Sequence, residues 1–180
     1  MKSPIQVLII DLIASTVELH NKGEVYYGEE LQKFLVFFSQ FKNYGGNEIK
    51  FTGDGLVYFF ELNPPNYGSG AIEFFLDACK KNTTSFKVRG ALHVGHVNTI
   101  PLHSGTTDYV GYALTYTFKM LQYLPDNAKE SQALYISKPA RNELSVPLGE
   151  NYLDRYNMVP ANIGRNEMRI DDVKLIACSR

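Results

Sequence analysis

Apolar and polar positions follow two different periods in the first third of the chain. Residues 5–10 are almost continuously apolar, which predicts a buried strand. Across residues 27–44 apolar side chains recur at three- and four-residue spacing, which predicts a helix, and Gly45-Gly46 supplies its stop. Residues 47–52 and 55–61 are two strand-like runs separated by a tight turn, and they predict a β-hairpin.

The rest of the pattern completes a fold class. It predicts a loop at 63–70, a helix at 71–82, a long strand at 85–100 that continues past Gly95 as a bent strand or a hairpin, and a polar loop at 101–108. It then predicts a helix at 111–124 ended by Pro125, a strand at 133–136, a short helix near 138–144, and strands near 152–159 and 173–178. The order β-α-β-β-α-β predicts an α/β (α+β) fold. We expect a ferredoxin-like plait over an antiparallel or mixed sheet, with extra C-terminal strands and a helix. No repeat or long linker divides the chain, so residues 1–180 are expected to form one domain.

Composition and charge exclude several functional classes. Eighteen Lys and Arg against nineteen Asp and Glu leave a net charge of −1, so we expect no nucleic-acid partner. No apolar stretch approaches the ~20 residues that cross a bilayer, and the N-terminus does not resemble a signal peptide. Cys79 and Cys178 lie far apart in sequence, which fits a reducing compartment better than a disulfide framework. We expect a soluble cytoplasmic protein without membrane contact.

Two aspartates are the strongest candidates for chemistry. Asp11 ends an apolar run, and Asp54 occupies a Gly-Asp-Gly turn at the tip of the predicted hairpin. Either could be structural, because Asp suits turns and strand-to-helix junctions. Together they could share two divalent cations, since hard oxygen ligands suit Mg²⁺ or Mn²⁺ and these ions also bind substrate phosphates. The pair therefore points to phosphate chemistry.

Four blocks in chain order give these aspartates a context: 10–16 (IDLIAST), 50–55 (KFTGDG), 89–97 (RGALHVGHV) and 108–120 (DYVGYALTYTFKM). In them the chain resembles the catalytic domain of class III nucleotidyl cyclases, the family of adenylate and guanylate cyclases. Those enzymes convert a nucleoside triphosphate into a 3′,5′-cyclic nucleoside monophosphate and pyrophosphate with two metal ions. The resemblance implies that Asp11, Asp54 and the carbonyl of Leu12 ligate Mg²⁺ or Mn²⁺.

The resemblance also implies where the substrate binds. Amides at residues 14–16, namely Ala14, Ser15 and Thr16, would hold phosphate oxygens at a helix start. Lys50 and Asp108 fall at the two base-selecting positions. The family forms head-to-tail dimers with a site at each end of the interface, so a homodimer is implied.

The fourth block departs from the family pattern. Thr115 stands where the family has a ribose-orienting Asn, and Lys119 stands where it has a transition-state Arg. Lysine supplies positive charge without a bidentate fork, so that exchange is not neutral. Arg165 is aligned with the family's last motif and would contact the triphosphate. These three residues are the predicted catalytic groups.

Among cyclases the chain is most similar to the stand-alone bacterial Pycsar enzymes, which also combine an Asp-plus-Ser-Thr first motif with an altered fourth motif. Those enzymes make cyclic UMP or cyclic CMP, which reaches a separate effector in anti-phage defence. Phe51 and Tyr109 could narrow the base pocket for a pyrimidine. Lys50 and Asp108 instead match adenylate cyclases, and the altered fourth block leaves a non-catalytic nucleotide-binding module open. A plain structural module with Asp54 as a turn former is a further alternative.

Three other polar residues have simpler interpretations. His93 and His96 form a His-x-x-His, but residues three apart on a strand face opposite sides, so a shared zinc ion is not expected. We expect His93 to pack within the sheet. Arg89 is expected to brace a strand or a dimer contact.

Overall fold

The predicted strands form a mixed sheet. The computed structural model describes residues 4–62, 69–102, 105, 107–124, 132–148, 152–165 and 168–178. The strands are β1 (Ile5–Ile13), β2 (Gly46–Phe51), β3 (Gly55–Glu61), β4 (Lys87–Gly95), β5 (Asn98–Pro101), β6 (Thr107–Val110), β7 (Ala133–Ile136), β8 (Val159–Arg165) and β9 (Met168–Ala177). The helices are α1 (Ser15–Lys22), α2 (Glu24–Phe38), α3 (Ser69–Lys81), α4 (Tyr112–Gln122) and α5 (Lys138–Leu148), with 3₁₀ helices at Ser39–Tyr44 and Tyr152–Tyr156.

Seven of these strands form one sheet in the order β2-β3-β1-β4-β7-β9-β8. Neighbours pair antiparallel except β4 and β7, which are parallel. The β2-β3-β1-β4 segment, with helices between β1 and β2 and between β3 and β4, is the ferredoxin-like plait that the sequence predicted. Strands β5 and β6 pair only with each other, as a hairpin outside this sheet. The predicted fold class is confirmed.

Helices cover both faces of the sheet, and alternation along β1 decides which side chain faces which layer. Leu8, Ile10 and Leu12 belong to a core cluster that contains residues of α2, α3 and α5. Val7 and Ile9 belong to a second cluster, built with residues of α4. Because side chains alternate along a strand, Asp11 shares its face with Val7 and Ile9. The candidate site therefore lies on the α4 side of the sheet.

The structure corrects several predicted boundaries. β1 continues past residue 10 to Ile13, because Asp11 is paired on both sides despite its charge. The predicted helix at 27–44 is α2 followed by the 3₁₀ helix that ends at Gly45, whose φ is 83°. α1 was not predicted. The predicted strand at 85–100 is interrupted between β4 and β5, and the predicted loop at 101–108 runs into β6.

The C-terminal half contains the largest correction. The predicted strand near 152–159 is instead the 3₁₀ helix Tyr152–Tyr156, and the strand begins only at Val159. The strand at 133–136 has the predicted bounds, while α5 extends four residues past the predicted end at 144. Pro125 and most of the predicted loop at 63–70 lie outside the described residues. Within the ranges described, no helix combines the length and the apolar character needed to span a membrane.

Candidate functional site

Asp11 lies on β1, which is paired with β3 on one side and with β4 on the other. Its register partners are Gly55 on β3 and Arg89 on β4. The close approach at Gly55 requires glycine, because a Cβ there would lie 2.9 Å from the carbonyl oxygen of Ile10. This packing fixes the backbone of Asp11 and presents its carboxylate on the α4 face of the sheet.

Asp54 reaches the same place from the hairpin tip. Gly53, with φ 96°, allows the turn between β2 and β3, and the turn closes through a 2.9 Å hydrogen bond from the Thr52 amide to the Gly55 carbonyl. The Leu12 amide donates to the Asp54 carbonyl at 3.0 Å, which ties the tip to the end of β1. Two residues 43 positions apart, Asp11 and Asp54, are thereby brought to one end of the sheet.

Arg89, which was expected to brace a strand or a dimer contact, bonds to β1 through Asp11 and so belongs to this group. Its Nε and Nη2 lie 2.9 Å and 2.5 Å from Oδ2 of Asp11, a fork of two charge-assisted hydrogen bonds. Both side chains are mostly buried, at 17% and 21% exposure for Arg89 and Asp11. The contact was detectable in principle, because the predicted plait puts β1 beside β4 and each residue is a charge within an apolar run.

The electrostatics of Asp11 reflect three neighbours. Burial raises the pKa of its carboxyl above the ordinary range, the Arg89 guanidinium partly offsets that rise, and the Asp54 carboxylate adds to it. The influence of Asp54 shows that the two acidic groups are close enough to interact. A divalent cation between them would relieve this repulsion and the cost of burial together.

The start of α1 lies against the Asp54 carboxylate. Ser15 is buried and its Oγ donates to Oδ2 of Asp54 at 3.3 Å. Ala14 precedes the helix in the left-handed region, with φ 57° and ψ 30°, which is a strained conformation for a residue with a Cβ. The amides of Ser15 and Thr16 fall in the first turn, where a helix has no partners for its N–H groups. Phosphate binding at residues 14–16 stays a prediction that this position favours.

Lys50 and Asp108 form a second charged group. Lys50 Nζ lies 2.6 Å from Oδ1 of Asp108, and the Tyr109 amide donates to the same carboxylate at 2.8 Å. The hydrogen bond from Lys50 is the main reason why the pKa of Asp108 is lowered. The pair joins β2 to the separate β5–β6 hairpin. The two residues predicted to select the base are therefore in direct contact within one chain.

The two aromatic residues predicted to narrow the base pocket are placed differently. Phe51 pairs with Leu56, whose side chain belongs to the cluster on the α2 and α3 side, so it faces away from Lys50. This removes Phe51 from the surface that carries the Lys50–Asp108 pair. Tyr109 stacks on Phe59 with ring centroids 4.2 Å apart, on the α4 side.

The predicted catalytic residues lie on α4 and at the end of β8, outside β1 and the β2–β3 turn that carry the carboxylates. Thr115 is exposed in the first half of α4, and Lys119 is half-buried one turn later. Arg165 ends β8, where its register partner is Met168. Among the described residues, no hydrogen bond or ion pair joins Thr115 or Lys119 to Asp11 or Asp54. Their catalytic roles stay predictions.

The oxygen donors present are compatible with a divalent cation that keeps water and phosphate ligands. Within the described ranges no group of three or more His, Cys, Asp or Glu side chains forms a metal cage. Asp11 and Asp54 supply two carboxylates, and the Leu12 carbonyl as a third ligand stays a prediction. Mg²⁺ is commonly held by one or two carboxylates plus substrate phosphates, so this sparse set fits it. The Arg89 guanidinium occupies Asp11 at the place where such a cation would bind.

His93 packs within the sheet, as predicted, whereas His96 lies outside the strand. His93 is 3% exposed, its Nδ1 lies 2.8 Å from the Ser137 hydroxyl, and its ring packs on Tyr116. His96 lies beyond the end of β4 and is exposed. Burial lowers the pKa of His93 to about 4, so the imidazole is neutral near pH 7. Its role is packing.

Comparison with known proteins places this geometry in a wider context. The sequence matches no protein-family model and no curated protein. Solved structures do match. The guanylate cyclase domain of RhGC from Catenaria anguillulae, in complex with GTP, is 16% identical, with a TM-score of 0.74 and coverage of 98% of each chain. The adenylyl cyclase CyaB from P. aeruginosa is 14% identical, with a TM-score of 0.68 over 98% of this chain and 95% of that chain.

A third match, the guanylyl cyclase Cya2, is 18% identical, with a TM-score of 0.64 over 97% of this chain and 90% of that chain. These identities are too low to transfer a substrate, but the coverage extends over the whole architecture. The chain has the fold of the catalytic domain of class III adenylyl and guanylyl cyclases.

Proposed function

We propose that this protein is a nucleotidyl cyclase that converts a nucleoside triphosphate into a 3′,5′-cyclic nucleoside monophosphate and pyrophosphate. The observation that carries the proposal is the convergence of Asp11 and Asp54 at one end of the sheet, in a chain with the cyclase fold. Two aspartates with unrelated structural roles would not need to lie at the same end of the sheet or to interact electrostatically.

The carboxylates and the residues around them would each bind a different part of the metal–triphosphate complex. Two Mg²⁺ or Mn²⁺ ions held by Asp11 and Asp54 would activate the ribose 3′-hydroxyl and neutralise the phosphates. The first turn of α1 would direct the amides of Ser15 and Thr16 at phosphate oxygens. Arg89, freed from Asp11 once that carboxylate has another cation, would place a guanidinium beside the same phosphates.

We propose that the active form is a homodimer. Thr115 is exposed on α4 and, like Lys119, has no bond to the carboxylates in the described part of the chain. The dimer implied by the resemblance would bring these α4 residues and the Lys50–Asp108 pair of one protomer to the carboxylates of its partner. Each site would then use a guanidinium from β4 and a lysine from the other protomer.

For the base, we propose a pyrimidine triphosphate, UTP or CTP, with the cyclic product acting on a separate effector in anti-phage defence. This proposal follows the resemblance to Pycsar enzymes. ATP is the second candidate, favoured by the contact between Lys50 and Asp108. A donor beside an acceptor is complementary to the ring nitrogen and amino group of adenine. Cytosine presents the same two groups, so ATP and CTP form the most informative comparison.

The test is a product assay with ATP, GTP, CTP and UTP, each with Mn²⁺, and identification of cyclic nucleotides by mass spectrometry. Asp54→Asn keeps the size of the turn residue but removes its charge, and we expect it to lower turnover by roughly 10²-fold or more. His96→Ala, at an exposed position away from the carboxylates, is the matched control and should retain wild-type turnover.

The result separates the alternatives. Absence of every cyclic product from a folded wild-type protein would refute the cyclase. Nucleotide binding without turnover, unchanged by Asp54→Ala, would instead identify a non-catalytic nucleotide-binding module. If Asp54→Asn altered only stability, by a few tenths of a kcal/mol or more, the plain turn-forming role would be correct.

A further inference from the structure

The two cysteines, 99 positions apart in sequence, meet in the folded chain. Cys79 lies on α3 and Cys178 directly follows β9, and their Sγ atoms are 3.1 Å apart. Both are free thiols, and both pack against the core cluster on the α2 and α3 side. The Cys178 amide donates to the Gln132 carbonyl at 3.0 Å, which anchors the end of β9. A helix and a strand thus hold the two sulfurs in contact.

A cavity gives small molecules access to this pair. Its volume is about 480 Å³, and Cys79 and Cys178 both line it. Lys80 and Arg155 line the same cavity, and the Arg155 guanidinium is paired there with Glu73 at 2.7 Å. Each cysteine is only partly exposed, so the opening admits a small oxidant and restricts a protein-sized one.

The environments of the two thiols differ in a way that assigns roles. The S–H···S contact between the two sulfurs, 3.1 Å long, lowers the pKa of Cys178. The same contact and burial raise the pKa of Cys79. Cys178 is therefore the nucleophile and Cys79 the resolving thiol, since the thiolate is the reactive form.

We propose that Cys79 and Cys178 are a redox-modification site at which hydrogen peroxide closes an intramolecular disulfide between α3 and the end of β9. The Cys178 thiolate attacks one peroxide oxygen, the O–O bond breaks, and the leaving hydroxide takes up the proton that Cys178 released to become the first water. Cys178 is then a sulfenic acid. The Cys79 sulfur displaces its oxygen, the S–S bond forms, and a second water carries off that oxygen with the Cys79 proton. Two thiols are oxidised by two electrons and one peroxide is reduced to two waters.

Little movement is needed for this closure. A disulfide bond is about 2.05 Å long, so the sulfurs must approach by roughly 1 Å, which rotation of the side chains can provide. The bond would close a loop of about 100 residues, a length at which cross-linking has a large effect on the unfolded chain. The pair lies on the opposite side of the sheet from Asp11, so the inference does not rest on the proposed cyclase activity.

The experiment uses the wild-type protein with one equivalent of hydrogen peroxide, then alkylation, intact mass measurement and non-reducing peptide mapping. We expect loss of two hydrogens, a cross-linked peptide containing Cys79 and Cys178, and reversal by dithiothreitol. The oxidised protein should melt higher by on the order of 10 °C. In Cys79→Ser, peroxide should leave Cys178 as a dimedone-reactive sulfenic acid without a rise in Tm.

Three outcomes would overturn the proposal. Both thiols could remain open to alkylation after peroxide treatment. Cys178 could proceed to a sulfinic acid while Cys79 stays alkylatable. Cross-links could also form only between separate chains, visible as a covalent dimer on a non-reducing gel. Each result is read from the wild-type protein, so none depends on the folding of a variant.

Discussion

The buried histidine in β4 makes the stability of this protein depend on pH. His93 is 3% exposed and is enclosed by the Ser137 hydroxyl and by the rings of Tyr112 and Tyr116, with no carboxylate among these contacts. Burial lowers the pKa of His93 to about 4, whereas a histidine in the unfolded chain titrates near 6.5. The folded state therefore binds this proton more weakly than the unfolded state.

The sign and size of the effect follow from that difference. As pH falls below about 6.5, His93 becomes protonated in the unfolded chain but stays neutral in the folded chain, so the free energy of unfolding decreases. A depression of the pKa from 6.5 to about 4, at about 1.4 kcal/mol per unit, amounts to a loss of about 3.5 kcal/mol, which is complete below pH 4. About 2.5 kcal/mol of this should already be lost at pH 4.5.

Urea unfolding at a series of pH values between 7.5 and 4.5 measures this loss directly. Carboxylates also titrate in this range, so the wild type is compared with His93→Gln, which can accept or donate a hydrogen bond to Ser137 without titrating. The difference between the two unfolding free energies should change by about 2.5 kcal/mol across the range. His96→Gln, at an exposed position, should follow the wild type. Parallel curves for wild type and His93→Gln would refute the reasoning.

Two further predictions concern the charged residues of the site. Arg89→Leu removes the guanidinium that offsets the effect of burial on Asp11, so the pKa of the Asp11 carboxyl should rise further. NMR titration of that carboxyl measures the change, and an unchanged pKa would contradict the contact. Lys50→Glu places a carboxylate against Asp108, so KM for the preferred triphosphate should rise by roughly 10-fold or more with a smaller change in kcat. Steady-state kinetics with all four triphosphates measures this, and unchanged selectivity would show that the pair does not select the base.

Local sequence patterns determined most of the architecture. The hairpin of β2 and β3 and the strand β7 were predictable because apolar runs and turn residues define them without help from distant contacts. α1 was missed because polar and charged residues occupy almost all of it, so no apolar stripe indicates a helix. β8 was missed because Pro160 and Gly164 oppose a strand; at the edge of the sheet, where pairing is needed on one side only, both are tolerated.

Only part of the candidate site could be predicted from the sequence. Asp54 at a hairpin tip and Asp11 near the end of the first apolar run could be placed together because β1 and β3 are neighbours in the predicted plait. The Lys50–Asp108 contact could not, since it depends on how a hairpin outside the main sheet folds back onto β2. The same limit applies to Cys79 and Cys178, whose distance in sequence says nothing about their distance in space.

The fork of Arg89 on Asp11 means that the resting chain carries an internal counter-ion at the place where an external cation is expected. A metal ion must compete for Asp11 with a guanidinium of the same chain, so the affinity of the metal for the nucleotide-free protein is reduced. A triphosphate that accepts the displaced guanidinium removes this competitor. Metal and nucleotide should therefore strengthen each other's binding, so that a modest rise in either one sharply increases the fraction of fully loaded protein.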